Sequence, residues 1–192
     1  MRLSVMTRPD VANALRACAR HSHNPSPRYW LVLQHITTYE NTLKEVGLMF
    51  VHGSGLKLSL YADADNAAVP NDRRSVSGVA VMLGNTATAW KSSTHKFVTA
   101  ATCDAEYVAL CGASKEALLI RAVPLFLQPE LTGRKVDIFG DNEGAKAIAD
   151  NPSSASRNKH IGVKLQFIRP GEVRVLHVGT AEQHTDVLAK SL

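Results

Sequence analysis

Short apolar strands and longer helical patterns follow one another after residue 55 in an order that few folds accept. Strand patterns come first at about residues 56–62, 77–83 and 87–91, with turn residues between them. Helical patterns at about 102–126, 142–149 and 159–168 then alternate with strands at 136–139 and 173–178. A last helix is expected to open at Thr180, with Gln183 in capping-box register. This order predicts an α/β fold with a mixed sheet covered by helices.

The first 55 residues are expected to form a separate helical segment. One helix is predicted at about Pro9–Ala19 and a second at about Pro27–Leu43, with a break rich in His, Ser and Pro between them. Gly53-Ser54-Gly55 marks the predicted boundary, so the domains are 1–55 and 56–192. Two helices are too few for a core of their own, so this segment should dock on the rest of the chain. Trp30 and Trp90 are expected to lie in the core.

Composition excludes several classes of protein. The chain has 192 residues, 45% hydrophobic and 20% charged, which excludes disorder of the whole chain. Its three cysteines show no CxxC spacing, which argues against a disulfide scaffold or a zinc finger and favours a reducing compartment. The sequence has no long apolar run and no signal-peptide pattern, so we expect an intracellular protein of the cytoplasm or nucleus that does not contact a membrane. The formal net charge of +5 is a weak indication of a polyanionic partner.

Four acidic residues occupy the positions at which chemistry is expected in such a fold. Asp63 is predicted to end the first strand, on the face opposite its apolar residues. Asp141 follows a buried strand, at the sheet edge where ligands bind in open α/β sheets. Glu106 lies in the first turns of the long helix, in line with its apolar stripe, and Asp186 lies in the last helix on the face of Lys190.

Each of these acids alone has a simpler explanation, but their joint pattern predicts a metal site. Asp141 could cap the following helix, and Glu106 could be favoured near a helix N-terminus. Converging carboxylates repel one another, however, and divalent cations relieve that repulsion. Hard oxygen ligands suit Mg²⁺ or Mn²⁺, and a pair of such ions can promote hydrolysis of a phosphodiester.

Six blocks of sequence, in order and spacing, resemble the ribonuclease H domain of Ty1/copia-type retrotransposon Pol polyproteins. They are Tyr61–Asp65, Asp72–Gly78, Ala105–Leu110, Gly140–Ala145, Ser156–Ile161 and Asp186–Lys190. The upstream segment Thr7–Ala12 is similar to the region of the same family that links reverse transcriptase to ribonuclease H. The resemblance thus covers nearly the whole chain.

The resemblance implies a ribonuclease H-like five-stranded sheet, with three antiparallel strands followed by two parallel ones. It also implies a two-metal nuclease that cuts the RNA strand of RNA/DNA hybrids and works beside other parts of a Pol polyprotein. In that role Asp63 and Asp141 would ligate both Mg²⁺ or Mn²⁺ ions, and Glu106 and Asp186 would each complete one. Asp65 competes with Asp63 for the first position, because both side chains point the same way.

Basic residues in two predicted turns are candidates for phosphate contacts with the hybrid. They are Arg73, Arg74, Arg157, Lys159 and His160. His184, two residues before Asp186, is a candidate proton shuttle during product release. Exposed basic turns and surface histidines often have no such role, so both readings stay open.

The chain departs from the family at three points. Asn66 stands where the family has an aromatic residue, and Gly162 stands where it has an acid. About five helical residues are missing before Gly171, where Pro170 shortens the helix. A shorter helix threatens the position of the following strand, and therefore of Asp186. The alternative prediction is a retroelement-derived module, weakened in catalysis, that binds nucleic acid or proteins in a host-cell or effector role.

Overall fold

A computed structural model describes residues 2–131, 135–151, 168 and 171–190. Its five strands are β1 (Leu58–Asp65), β2 (Val76–Leu83), β3 (Thr86–Thr94), β4 (Val136–Gly140) and β5 (Val173–His177). They form one sheet in the order β3-β2-β1-β4-β5. β1 pairs antiparallel with β2, and β2 with β3, whereas β1–β4 and β4–β5 are parallel pairs. The predicted α/β fold, with three antiparallel strands followed by two parallel ones, is confirmed.

The helices differ in length and in what they cover. They are α1 (Arg2–Met6), α2 (Ala12–Ala19), α3 (Pro27–Thr42), α4 (Thr102–Ile120), α5 (Ala122–Leu127), α6 (Glu143–Asp150) and α7 (Asp186–Ala189). The main core lies between the sheet and α4, where Leu60, Ile138 and Tyr107 are almost fully buried. Alternation along β1 turns Leu58, Leu60 and Ala62 toward that core. The predicted helical pattern at 159–168 lies, except for Ile168, outside the described residues.

The N-terminal helices dock on the sheet, as their size predicts. Val11, Cys18 and Ile36 form a small cluster of their own. The Trp90 side chain of β3 donates a hydrogen bond from Nε1 to the carbonyl of Ser4 at 2.6 Å. The expectation that both tryptophans are core residues is wrong for Trp30, which is 63% exposed on α3.

Two predicted helices are interrupted, each for a local reason. The pattern expected at 102–126 divides into α4 and α5, because Pro124 has no N–H to donate to the carbonyl of Ile120. The helix expected to open at Thr180 is instead a single 3₁₀ turn at Thr180–Glu182, followed by α7. The side chain of Gln183 does not form the predicted capping box, because it donates from Nε2 to the carbonyl of Ala62 on β1 at 3.0 Å.

No helix in the described ranges combines the length and the apolar character that crossing a bilayer requires. Cys18, Cys103 and Cys111 form no disulfide bond.

Gly78 allows α7 to approach β2 closely, which leads to a prediction. A Cβ at this position would lie 2.8 Å from both Leu188 Cβ and the Thr185 carbonyl oxygen. We expect Gly78→Ala to lower the free energy of unfolding by about 1–3 kcal/mol, because backbone rather than a flexible side chain must move. Gly112, in α4, is the matched control, since a Cβ there meets nothing within 4 Å. Gly112→Ala should raise stability by roughly 0.5–1 kcal/mol. Urea unfolding measures both, and equal effects would contradict the packing argument.

Candidate metal centre

Three of the four predicted acids meet at one end of the central strands. Asp63, Glu106 and Asp141 each offer a carboxylate oxygen, and these oxygens all lie within 4.8 Å of one another. Asp63 comes from β1, Glu106 from the first turns of α4, and Asp141 from the residue after β4. Asp63 lies within β1 rather than at its end, since the strand continues to Asp65 and pairs Asp63 with Gly78.

Asp63 is the most deeply buried member of this carboxylate cluster. It is 0% exposed, and neither of its carboxylate oxygens has a hydrogen-bond partner. Burial raises the pKa of Asp63 to about 6, against the opposing effect of the Lys190 ammonium, and the charges of Asp141 and Asp186 raise it further. Asp65 is not part of the carboxylate cluster found among the described residues.

Glu106 experiences the largest electrostatic penalty of the three. It is 5% exposed, and burial followed by repulsion from Asp63 and Asp141 raises its pKa to about 8. A hydrogen bond from the backbone of Ala64 lowers that pKa only in part. Near neutral pH the metal-free cluster therefore holds protons that isolated carboxyl groups would have lost.

Asp141 is the partly exposed member and faces the end of β5. Thr180 Oγ1 donates a hydrogen bond to Asp141 Oδ2 at 3.4 Å, and the His177 ring lies 3.1 Å from the Asp141 carbonyl oxygen. The N-cap of α6 is Asn142, whose side-chain oxygen accepts a hydrogen bond from the backbone N–H of Ala145. The interpretation of Asp141 as that cap is therefore wrong, and its carboxylate is free for the cluster.

Asp186 is linked to the carboxylate cluster through Lys190. Lys190 Nζ lies 2.7 Å from Asp186 Oδ1, one helical turn away, and 3.5 Å from Asp63 Oδ1. The side chain of Asp186 is 39% exposed and that of Lys190 is 41% exposed. Partial burial would lower the pKa of Lys190, but the hydrogen bond that Lys190 donates to Asp186 and the charge of Asp63 raise it overall. The ammonium thus neutralises part of a strongly anionic site.

Of the remaining candidate residues, three lie on described segments and three outside the described part of the chain. Arg73 and Arg74 lie on the loop that joins β1 to β2; Arg73 is exposed, and Arg74 Nε lies 3.3 Å from Asp72 Oδ2. Arg157, Lys159 and His160 lie outside the described residues, as do Gly162 and Pro170. His184 is exposed, and its ring meets that of Tyr61 in an edge-to-face arrangement with the two ring centroids 4.5 Å apart.

Sequence reasoning missed three residues that shape the centre. They are Lys190, His177 and Gln183. An ammonium one turn after Asp186 was visible in the sequence as an (i, i+4) pair, but its second contact, with Asp63, depends on how α7 packs. His177 and Gln183 contact backbone carbonyls of distant segments, and no local pattern announces such contacts.

No protein-family model matches the chain. Two relatives cover large parts of it. Over 190 residues, 97% of this chain, it is 34% identical to the retrovirus-related Pol polyprotein from transposon RE2 of Arabidopsis thaliana, and spans 13% of that polyprotein's length. Over 118 residues, 62% of this chain, it is 34% identical to the secreted RxLR effector protein 161 of Plasmopara viticola, and covers 83% of that protein.

Two solved structures share the fold. The structure of LC11-RNase H1, isolated from compost, superposes with a TM-score of 0.52 and 19% identity, covering 70% of this chain and 93% of that one. The foamy viral protease-reverse transcriptase in complex with RNA/DNA hybrid gives a TM-score of 0.51 and 15% identity, covering 73% of this chain and 20% of that one. The sheet with its helices is thus a ribonuclease H fold. Over 97% of its length the chain is homologous to Ty1/copia-type retrotransposon Pol polyproteins, and its described residues adopt the ribonuclease H fold.

Proposed function

We propose that this chain is a metal-dependent endonuclease that hydrolyses the RNA strand of RNA/DNA hybrids by a two-metal mechanism. The observation that carries the proposal is the carboxylate cluster of Asp63, Glu106 and Asp141, whose oxygens lie within 4.8 Å of one another. Similarity to retrotransposon Pol polyproteins over 97% of the chain and the ribonuclease H fold support a nuclease-type activity. The hybrid, the two ions and the polyprotein context are parts of the proposal.

The donor set matches the chemistry of a hard divalent cation. Both oxygens of Asp63 are buried without a hydrogen bond, and the Lys190 ammonium, 3.5 Å from Oδ1, offsets only part of the cost of that buried charge. Mg²⁺ and Mn²⁺ prefer carboxylate oxygens and retain waters, and the partial exposure of Asp141 leaves room for them. Asp63, Glu106 and Asp141 would hold one ion. Asp186 would complete the coordination of a second ion that Asp63 and Asp141 would also ligate, in exchange for its contact with the Lys190 ammonium.

When bound, such ions polarise a phosphodiester and lower the pKa of an attacking water. The residues of the chain orient and neutralise the reacting groups. Thr180 holds one oxygen of Asp141 and so restricts the orientation of its carboxylate. Lys190 places a positive charge beside Asp63 and Asp186, where a phosphate of the substrate would approach.

The surroundings of the carboxylate cluster suit a hybrid substrate. Arg73 and Arg74 follow the strand that carries Asp63, and there they would contact phosphates. Selection of RNA requires contacts with 2′-hydroxyls near the ions. His184 would relay protons from the rim of the site. The roles of Arg157, Lys159 and His160, and the compartment, cytoplasm or nucleus, stay predictions of the sequence.

A second candidate function is a non-catalytic module with an effector or host-cell role. It is favoured by the similarity to the secreted RxLR effector protein 161, of which the chain covers 83%. Mg²⁺-dependent hybrid cleavage that is abolished by Asp141→Asn would contradict this candidate. Absence of cleavage in a folded protein that binds Mn²⁺ would favour it over the nuclease.

The assignment of Asp63 as a metal ligand can be tested by substitution. We expect the purified chain to cleave a labelled RNA/DNA hybrid with Mg²⁺ or Mn²⁺, and Asp63→Asn to reduce the rate by about a hundredfold or more, because a buried charge that holds the ions is lost. Asp65→Asn tests the competing assignment and should retain most of the activity. Asp150→Asn, which removes an exposed acid at the end of α6, is the neutral control. Loss of activity in Asp65→Asn but not in Asp63→Asn would reverse the assignment.

The stability of the metal-free protein should depend on pH. Asp63 and Glu106 have folded-state pKa values of about 6 and about 8, above their ordinary values. The folded protein therefore binds protons that the unfolded chain has released, and the metal-free protein should lose stability as pH rises through this range, by on the order of 1 kcal/mol or more. Thermal melts in EDTA from pH 5 to 9 measure the loss. It should be much smaller in the Asp63→Asn, Glu106→Gln double variant.

Mn²⁺ should reverse that loss, because the ion competes with protons for the same oxygens. The increase in melting temperature on adding Mn²⁺ is expected to be greater at pH 8.5 than at pH 5.5. A stabilisation that does not change with pH, or that survives in the double variant, would place the ion elsewhere.

Lys190 should weaken the binding of a metal ion at the carboxylate cluster. Its ammonium lies 3.5 Å from Asp63 Oδ1 and competes with an ion for that carboxylate. We expect Lys190→Met to tighten Mn²⁺ binding by roughly tenfold, as measured by calorimetry. Lys146→Met is the matched control, because Lys146 forms the same (i, i+4) pair, with Asp150 on α6. Equal Mn²⁺ affinities in the two variants would mean that Lys190 does not compete with the metal.

A further inference from the structure

We propose that Asn13 is a positioning residue of the metal centre, and that through it the N-terminal helices set the location of Asp186 and Lys190. The metal-binding part of this inference rests on the proposed function; the positioning part rests on geometry alone. Asn13 lies on α2, outside the ribonuclease H sheet. It contacts the C-terminal end of α7, the helix that begins at Asp186 and is followed by Lys190.

The central observation is a hydrogen bond between residues 177 positions apart. Asn13 Nδ2 donates to the backbone carbonyl of Lys190 at 2.7 Å. Lys190 caps the C-terminus of α7, and its own N–H donates to the carbonyl of Asp186 at 2.8 Å. The last carbonyls of a helix have no partner within the helix, so Asn13 supplies a donor that α7 cannot. Asn13 is only 7% exposed, so water does not readily replace it.

The amide of Asn13 can face α7 in one orientation only. Arg16 Nε and Nη2 donate to Asn13 Oδ1 at 3.2 Å and 2.7 Å. A guanidinium has donors but no acceptor, so the side-chain oxygen must face Arg16 and the NH₂ group must face Lys190. Arg16 in turn donates to Ser92 Oγ at 3.1 Å and Thr94 Oγ1 at 2.6 Å, both on β3. A continuous chain of hydrogen bonds thus joins the sheet to α7.

The length of α7 makes this bond important. A helix of four residues has no stability of its own, so its position depends on tertiary contacts. On one side α7 packs against Gly78 of β2, and on the other Asn13 holds its end. A shift of α7 would move Asp186 and Lys190 relative to Asp63. Displacements of about 1 Å in catalytic groups can cost on the order of a hundredfold in rate.

The test compares two substitutions at Asn13. Asn13→Asp keeps an oxygen for Arg16 but removes the donor to Lys190, whereas Asn13→Ala removes both. Asn24→Asp is the matched control, with the same change of charge on the exposed turn between α2 and α3. Hydrogen exchange of residues 183–190 in the metal-free protein reports the position of α7 directly. We expect exchange about fivefold to tenfold faster in both Asn13 variants than in the parent or in Asn24→Asp.

Mn²⁺ titration by calorimetry or electron paramagnetic resonance supplies the second readout. The weaker Mn²⁺ affinity should fall by about tenfold in Asn13→Asp, the tighter one should be unchanged, and excess Mn²⁺ should restore hybrid cleavage, which it would not do for a misfolded chain. Unchanged exchange in Asn13→Asp would overturn the inference, as would an effect seen only in Asn13→Ala. Faster exchange in a chain that binds no Mn²⁺ would uphold the positioning role and overturn the proposed nuclease instead.

Discussion

The carboxylate of Asp63 is the constraint around which the rest of the site is arranged. It is 0% exposed on the central strand of the sheet, with two further acids close by, no hydrogen bond to either oxygen, and Lys190 Nζ 3.5 Å from Oδ1. Water cannot relieve this charge, so either protons or a cation must. The raised pKa values of Asp63 and Glu106 mean that protons neutralise part of this charge, and the Lys190 ammonium neutralises another part.

Three contacts hold the segment that completes the centre. Gln183 fixes the approach to α7 by donating to Ala62, the residue before Asp63. Gly78, opposite Asp63 in the β1–β2 ladder, has no Cβ to keep α7 away. Asn13 holds the far end of the helix. Each contact comes from a different part of the chain, and together they fix the position of a helix that is too short to be stable alone.

Local patterns in the sequence predicted those parts of the fold and site that depend on local periodicity. Alternation along β4 placed Asp141 after its end, and helical spacing placed Glu106 on the inner face of α4, because both follow from geometry within one element. The role of Asn13 was not visible, since its partner is 177 residues away. Gln183 matched a capping pattern, yet the carbonyl of Ala62 took its side chain once the sheet had formed. Trp30 matched a buried helical stripe that the docked segment leaves exposed.

The energetic cost of the carboxylate cluster bears on the choice between the two candidate functions. Asn at position 63 would have nearly the shape of Asp63 and would remove a buried charge that repels two neighbours. A chain that serves only as a binding module derives no benefit from holding three carboxylates within 4.8 Å, and its stability would increase if Asp63 or Glu106 lost its charge. A chain that binds divalent cations recovers that cost on binding. The presence of all three acids, together with a fourth beside Lys190, therefore favours the proposed nuclease over the non-catalytic module.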